Sequence, residues 1–204
     1  VSPHGSFAHL YINGVYWGVY NLAERPVDSF CANYLGGDKE EYDVLKDFAE
    51  LQDGNADAWN AMITLAGQGL AADAAYMKIQ GKNPDGSRNP AFPVYLDVDN
   101  LIDYMVLHVA SGSEDWPHRN WWGARRRGPE STGFKFFVWD QEISNDSLIR
   151  QYTLFQTRFE DAVSAPSPSY LYGQCSANAG FRRAFGDRVH KHLLCFAEAR
   201  VLSF

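Results

Sequence analysis

Four polar side chains in the second half of the chain have the types and spacing of a metal-dependent active site. Asp115 and Asn120 are five positions apart in SGSEDWPHRN, a segment that follows a helical pattern. Asp140 ends the apolar run FKFFVWD, and Glu142 lies two residues further on. Carboxylate and amide oxygens suit a hard cation such as Mg²⁺, which takes one or two carboxylates together with phosphate oxygens. These residues therefore predict a magnesium site, provided that the chain brings the two segments together.

The order of these residues is that of phosphoryl transfer in kinases. In that chemistry an Asp in a loop accepts the proton of the substrate hydroxyl, while a later Asn and a second Asp hold the metal ions. Asp115 corresponds to the base, and Asn120 and Asp140 correspond to the metal ligands. The turn GPESTG allows the two segments around it to pair as a hairpin, which would bring Asn120 and Asp140 to one cleft.

Simpler interpretations of the same residues stay open. Asp115 precedes a Trp-Pro pair, and both Asp115 and Asn120 are residue types that are common in turns. Glu142 is also typical of a surface residue, whereas Asp140 beside an apolar run would be costly to bury without a partner. A hydrolase that uses Asp115 and Asp140 as its acid and base is a further alternative, although it leaves Asn120 without a role.

The clearest local structure is at the start of the chain, in FAHLYINGVYWGVYNLAER. Asn13-Gly14 lies between two runs rich in Tyr, Val, Ile and Trp, which is the strongest short-range signal for a hairpin with a two-residue turn. The pattern predicts strands at about residues 7–12 and 15–22, with positive φ at both turn residues.

Apolar spacing predicts helices at residues 26–34, in two pieces within 55–80, at 99–111 and at 178–199. Pro26 suits the first turn of the first helix, and Asp99 is a natural N-cap for the long helix that Gly112 ends. Residues 81–93 are rich in Gly, Pro, Asn and Asp and predict a loop. Strands are expected in NWWGARRR and in FKFFVW, which is apolar on both faces. This order of elements predicts the α+β class.

Composition argues against several classes of function. The chain has 204 residues, of which 46% are hydrophobic and 21% are charged, as in globular proteins. Its net charge of −7 argues against a non-specific nucleic-acid binder, and no apolar run approaches the length of about 20 residues that a membrane span needs. The cysteines are too few and too scattered for a disulfide framework or a zinc site: Cys31, Cys175 and Cys195.

Five segments carry a family resemblance, in this order: LYINGVYWGVYNLAERP, GKNPDGSRNP, LDVDNLIDYM, EDWPHRNWWGARR and GFKFFVWDQE. Together they resemble the CotH kinase family, atypical protein-kinase-like enzymes named for a bacterial spore-coat component. The resemblance is faintly continued by FRRAFGDRVHKHLL. It implies phosphorylation of Ser or Thr hydroxyls of a protein substrate with ATP and Mg²⁺. The resemblance implies Asp115 as the base and Asn120 and Asp140 as metal ligands. Glu142, two residues after Asp140, is a further candidate ligand because of its position.

The resemblance also implies a protein-kinase-like fold that consists mostly of the helical C-terminal lobe. Residues 1–204 would form one domain, in which residues 1–25 are an N-terminal-lobe hairpin and the hinge beside the adenine, and 26–204 are the C-terminal lobe. Glu24 in the hinge is a candidate nucleotide-binding residue and equally a carboxylate at the entry of a helix. A kinase needs earlier strands that cover the phosphates, so we expect a domain that is incomplete at its N-terminus and acts within a longer parent.

The alternative from another class is a non-catalytic, degenerate kinase-like module that binds protein or glycan, which the Trp and Tyr content would suit. The resemblance favours an extracytoplasmic location or a cell or spore surface for either interpretation. A nucleotide titration with and without Mg²⁺ separates the two, because a binding module would show no metal-linked affinity for ATP.

Overall fold

The structure is a computed structural model that describes residues 2–113, 116–117, 119–141 and 166–201. Within these residues it contains six α-helices and two antiparallel sheets, one of two strands and one of four. The α+β class expected from the order of the elements is confirmed, and the arrangement is compatible with a kinase-like fold.

The first sheet is the hairpin at the start of the chain, and it forms as its sequence predicts. β1 (Gly5–Ile12) pairs antiparallel with β2 (Val15–Ala23). Asn13 and Gly14 connect the strands with φ angles of 52° and 79°. These are the left-handed values that a type I′ turn needs, so the Asn-Gly pair determines where the chain reverses.

Both faces of this hairpin are exposed. Phe7 on β1 is 79% exposed and Trp17 on β2 is 59% exposed. Nine large hydrophobic side chains of the two strands are exposed: Phe7, Tyr11, Ile12, Val15, Tyr16, Trp17, Val19, Tyr20 and Leu22. A two-stranded hairpin is marginally stable by itself, so its stability depends on the turn and on cross-strand pairs.

The second sheet has the strand order β4-β3-β5-β6. The sequence predicts β5 (Trp121–Arg126) and β6 (Lys135–Val138), and they pair antiparallel as expected. The sequence-based expectations omit β3 (Tyr42–Lys46) and β4 (Glu50–Asp53). Asp43 interrupts the apolar pattern that identifies a buried strand, and for this reason β3 has no clear local signal.

The buried Asp43 is tolerated because its carboxylate is paired. The side chain is 1% exposed, and it accepts hydrogen bonds from the Arg127 guanidinium and, at 3.0 Å, from the Asn55 backbone N–H. A buried charge without such partners would be strongly destabilising. Arg127 lies 84 residues away in the sequence, so only the folded chain supplies this compensation.

The helices are α1 (Asp28–Leu35), α2 (Asp57–Gly67), α3 (Asp73–Ile79), α4 (Val98–Ser111), α5 (Pro168–Ser176) and α6 (Ala179–Val201). They include every helical segment that the sequence predicts, and they add α5. The signal of α5 is local, since its N-cap Ser167 accepts a hydrogen bond from the Tyr170 N–H at 3.2 Å. None of the described helices is long and apolar enough to cross a membrane.

Two predicted helix starts are wrong. Pro26 lies outside α1, whose N-cap is Val27. The N-cap of α4 is Asp97 rather than Asp99, because the Asp97 carboxylate accepts the hydrogen bond from the Asn100 N–H at 2.9 Å. Asp99 lies in the first turn, and its side chain is 83% exposed.

Helices cover both faces of the second sheet. On one face Trp121 stacks on Trp59 of α2, with ring centroids 5.5 Å apart. On the other face Phe137 meets Phe30 of α1 edge to face at 5.7 Å. Because side chains alternate along a strand, neighbouring residues of β5 and β6 belong to two separate hydrophobic clusters.

The hairpin turn generates a prediction. An added Cβ at Gly14 would meet no atom within 4 Å, so a substitution acts only through the φ of 79°. We expect Gly14→Val to destabilise the hairpin by about 1–2 kcal/mol, since L-residues resist the left-handed region, and to lower the melting temperature. Amide hydrogen exchange should be faster along β1 and β2. Gly14→Asn, which tolerates this conformation, is the control, and equal exchange in both variants would contradict the turn assignment.

Candidate active site

Asn120 and Asp140 lie at the same end of the second sheet. Asn120 directly precedes β5, and Asp140 lies two residues beyond the end of β6. Trp121 is opposite Val138 in the antiparallel ladder of these strands, so the pairing brings the two positions together. The predicted hairpin thus unites two of the predicted site residues, while their roles as metal ligands stay a prediction.

Both residues have an uncommon backbone conformation. Asn120 has a φ of 60° and Asp140 a φ of 57°. The left-handed region costs L-residues roughly 1–2 kcal/mol, although Asn and Asp tolerate it better than most. Non-glycine residues in this region occur often at functional sites, where the surrounding structure over-determines them. We infer that tertiary contacts, rather than local preference, determine where these two residues lie.

A cleft of about 660 Å³ opens between this sheet end and the base of the hairpin. Its walls are formed by Ser2, Pro3, His4, Gly5, Asn21 and Ala23 on the hairpin side and by Leu107, Val138, Trp139, Asp140 and Gln141 on the other. Small-molecule sites usually have volumes of about 300–1,000 Å³. Asp140, which is exposed, therefore lies on the wall of a cleft that is large enough for a nucleotide.

Glu24, the residue after β2, joins the hairpin to α1. Its carboxylate accepts hydrogen bonds from the Tyr34 hydroxyl at 2.8 Å and from the His4 backbone N–H at 3.0 Å, and it lies 2.9 Å from His4 Nδ1. Three hydrogen bonds lower the pKa of Glu24. The bond from the His4 backbone N–H has the largest effect, followed by those with the Tyr34 and His4 side chains. Ala23 and His4 line the cleft beside it. The nucleotide-binding role of Glu24 stays a prediction.

A hydrogen-bonded network holds the loop that carries Asp140. Ser113 Oγ donates to Gln141 Oε1, and His108 Nδ1 lies 3.0 Å from Ser113 Oγ. The His108 ring stacks on Trp116, with centroids 4.4 Å apart and an interplanar angle of 9°. The network therefore connects the C-terminal end of α4 and the segment before β5 to the loop after β6.

His108 is neutral in this network, and the sequence carries no signal for this role. It is 2% exposed, its Nε2 has no hydrogen-bond partner among the residues that the structure describes, and burial lowers its pKa to about 3. Ser113 gives its hydroxyl proton to Gln141, so the proton on His108 Nδ1 donates to Ser113. A second proton on Nε2 would be a buried donor without an acceptor, which is costly.

Asp115 and Glu142 lie outside the described residues. Within the part of the chain that the structure describes, no group of three or more His, Cys, Asp or Glu side chains is arranged to hold a metal ion. Asn120 and Asp140 nevertheless supply an amide and a carboxylate oxygen at one sheet end, the donor types that Mg²⁺ accepts alongside phosphate oxygens. The residues present therefore fit Mg²⁺, and Glu142 stays a further candidate ligand.

Sequence reasoning missed one residue that contacts this site. Asp47, in the turn between β3 and β4, accepts a hydrogen bond from the Asn120 N–H at 2.8 Å. The two residues are 73 positions apart, and neither β3 nor β4 is predicted, so no pattern in the sequence indicates their contact.

The model of one protein family, described as CotH kinase protein, matches residues 1–203 of the chain. The match is nearly complete: it includes α5, which the resemblance of short segments does not reach, and α6, which that resemblance reaches only faintly. No curated protein matches the chain at a significant level.

The buried network generates a prediction about pH. The pKa of His108 is about 3 in the folded chain against an ordinary value of 6.5, so between these values the unfolded chain binds a proton that the folded chain does not. Stability should therefore fall as the pH falls through this window. Compared with His108→Gln, which cannot be protonated, the parent should lose about 2 kcal/mol more between pH 7 and pH 5. Urea unfolding at both pH values measures this difference, and parallel losses would contradict a neutral buried ring.

Proposed function

The chain belongs to the CotH kinase family, and from this premise we propose that it transfers the γ-phosphoryl group of ATP to Ser or Thr hydroxyls of a protein. The membership itself makes it a kinase-like domain. The observation that supports this proposal is that Asn120 and Asp140 meet at one sheet end, where Asp140 lines a cleft of about 660 Å³. Three components of the proposed reaction remain for experiment to test: ATP as the phosphoryl donor, Mg²⁺ as the metal ion and a protein hydroxyl as the acceptor.

The cleft is the proposed nucleotide site. We assign the hairpin and residues 23–25 to the N-terminal-lobe side, where the base would lie, and the phosphates to the side of Asp140. Glu24 would act by holding this hinge, since its carboxylate already connects His4 at the base of the hairpin to Tyr34 of α1.

Asn120 and Asp140 are the proposed ligands of Mg²⁺, with Glu142 as a further candidate. The ion would neutralise charge on the transferring phosphates, which is its usual contribution to phosphoryl transfer. Asp140 contributes a negative charge, and Asn120 contributes a neutral amide oxygen. Because both residues lie close to the ends of paired strands, the register of β5 and β6 limits how far apart they can be.

Asp115 is the proposed general base. As the substrate oxygen attacks the γ-phosphorus, Asp115 accepts the hydroxyl proton, the bond from phosphorus to the β,γ-bridging oxygen breaks, and ADP leaves. The position of Asp115 five residues before Asn120 supports this role, because kinases use the same spacing.

A non-catalytic binding module is the second candidate, and the exposed hairpin favours it. Nine large hydrophobic side chains on β1 and β2 are exposed, and such patches occur at interaction sites. The two candidates differ in nucleotide chemistry, since a binding module requires no metal-linked affinity for ATP.

The proposal predicts different effects for two carboxylates in the full-length protein. Asp140→Ala should weaken Mg²⁺-dependent ATP binding and abolish phosphoryl transfer, because it removes the charged ligand of the ion. Asp115→Ala should bind Mg·ATP nearly as the parent does while its turnover falls roughly a hundredfold or more, the usual scale for a general base. Calorimetric titration of ATP with and without Mg²⁺, alongside a phosphate-transfer assay, measures both effects.

Asp99→Ala is the matched control, since Asp99 is an exposed carboxylate on α4 that lies 3.6 Å from the Arg188 guanidinium. It should bind and turn over as the parent does. Parent-like binding and turnover in both the Asp115 and Asp140 variants would show that these residues are structural and would favour the binding module.

A further inference from the structure

The turn between β3 and β4 is bound to the segment that enters β5. The Asp47 N–H donates to the Trp121 carbonyl at 3.0 Å, and the Asn120 N–H donates to the Asp47 carboxylate at 2.8 Å. Asp47 therefore uses both its backbone and its side chain to hold two consecutive residues, of which the first is a candidate metal ligand.

The register of the sheet explains why this turn reaches the site. Lys46, the last residue of β3, is opposite Trp122 of β5. β3 thus ends where β5 begins, and the turn extends beyond the sheet at the end where Asn120 and Asp140 lie. Three chain segments meet there: the turn, the entry to β5 and the exit from β6.

The turn has a tightly specified shape. Asp47 has a φ of 45° and Ala49 a φ of 63°, both left-handed. Between them Phe48 packs against Arg119, whose guanidinium carbon lies 5.8 Å from the centre of the Phe48 ring. The turn between β3 and β4 thus contacts the segment before β5 in two ways, through the hydrogen bonds of Asp47 and through this cation–π contact with Arg119.

The hydrogen bond to Asp47 counteracts the strain at Asn120. A left-handed φ of 60° is unfavourable for a side-chain-bearing residue and persists only where the surroundings impose it. A carboxylate that accepts a backbone N–H makes a charge-assisted bond, which is stronger than a neutral one. Asp47 is only partly exposed, so water competes less for this bond than at an open surface.

We propose that Asp47 is a positioning residue for the metal site: through the Asn120 N–H it fixes the backbone from which the Asn120 amide reaches the cation shared with Asp140. The inference rests on the proposed function, in which Asn120 and Asp140 hold Mg²⁺. It adds a residue that lies outside the Asp-Asn-Asp pattern and belongs to a part of the chain that no catalytic motif includes.

Two substitutions separate the carboxylate from the shape of the turn. Asp47→Gly accepts the left-handed φ but removes the acceptor, whereas Asp47→Asn also accepts this φ and keeps an acceptor oxygen. Ala49→Gly is the matched control, because it loosens the same turn at its other left-handed position and leaves Asp47 intact.

The first measurement is hydrogen exchange of the Asn120 backbone amide by NMR, which requires no activity. We expect exchange about tenfold faster in Asp47→Gly and within about threefold of the parent in Asp47→Asn and Ala49→Gly. Unchanged exchange in Asp47→Gly would overturn the inference whatever the function of the chain.

The second measurement is calorimetric titration of ATP in Mg²⁺ and in EDTA with the full-length protein. Asp47→Gly should lose about tenfold or more in the Mg²⁺-dependent part of the affinity, the usual cost of removing a group that orients a metal ligand, and keep its affinity in EDTA. Asp47→Asn should largely restore the Mg²⁺-dependent part.

The outcomes distinguish the inference from the proposed function. Suppose that the parent binds ATP in a Mg²⁺-dependent way. If Asp47→Gly leaves that binding unchanged, or if Ala49→Gly weakens it equally, the positioning role is overturned while the proposed function stands. A parent without Mg²⁺-dependent ATP binding would overturn the proposed function, and with it the role of Asp47. Faster Asn120 exchange together with a selective loss of the Mg²⁺-dependent affinity supports the inference.

Discussion

The register of β5 between its two neighbours is the constraint on which the candidate site depends. β5 places Trp122 opposite Lys46 of β3 and Trp121 opposite Val138 of β6. Trp121 and Trp122 are buried on opposite faces of the sheet, in different hydrophobic clusters. A slip of one residue would move each indole to the wrong face, so burial of the two rings holds the register and, with it, the distance between the two loops at the sheet end.

Hydrogen bonds then hold the two loops at this end of the sheet in place. The loop after β6 is held through Gln141 and Ser113 to the neutral His108 of α4, and the entry to β5 is held through Asn120 to Asp47. The Ser113–Gln141 and Asp47–Asn120 bonds join residues that are 28 and 73 positions apart in the sequence. The left-handed backbone at Asn120 and Asp140 is the local consequence, since neither residue would prefer it alone.

The hairpin contributes differently to the cleft. Its strands bury little surface, and its base is tied to the rest by Glu24 through His4 and Tyr34. The cleft therefore lies between a sheet that helices cover on both faces and a ribbon with few buried contacts. Elements with few buried contacts open most readily, so the hairpin wall is the part of the cleft that we expect to adjust to a ligand.

The sequence by itself determined the features whose causes are local. Asn13-Gly14 specified the hairpin turn, apolar periodicity specified the long helix that ends at Gly112, and two apolar runs specified β5 and β6. The order of Asn120 and Asp140 around those strands was enough to predict that they would meet, since antiparallel pairing joins the start of one strand to the end of the next.

Only the tertiary structure decided the rest, because its causes are distant in sequence. β3 is a strand because β5 pairs with it and because Arg127 neutralises the buried Asp43, neither of which a local pattern records. Asp47 contacts Asn120 across 73 positions for the same reason. The neutral state of His108 depends on burial by other segments. Spacing in the sequence thus predicted the chemistry of the candidate site, while long-range strand pairing decided which further residues contact the candidate site residues.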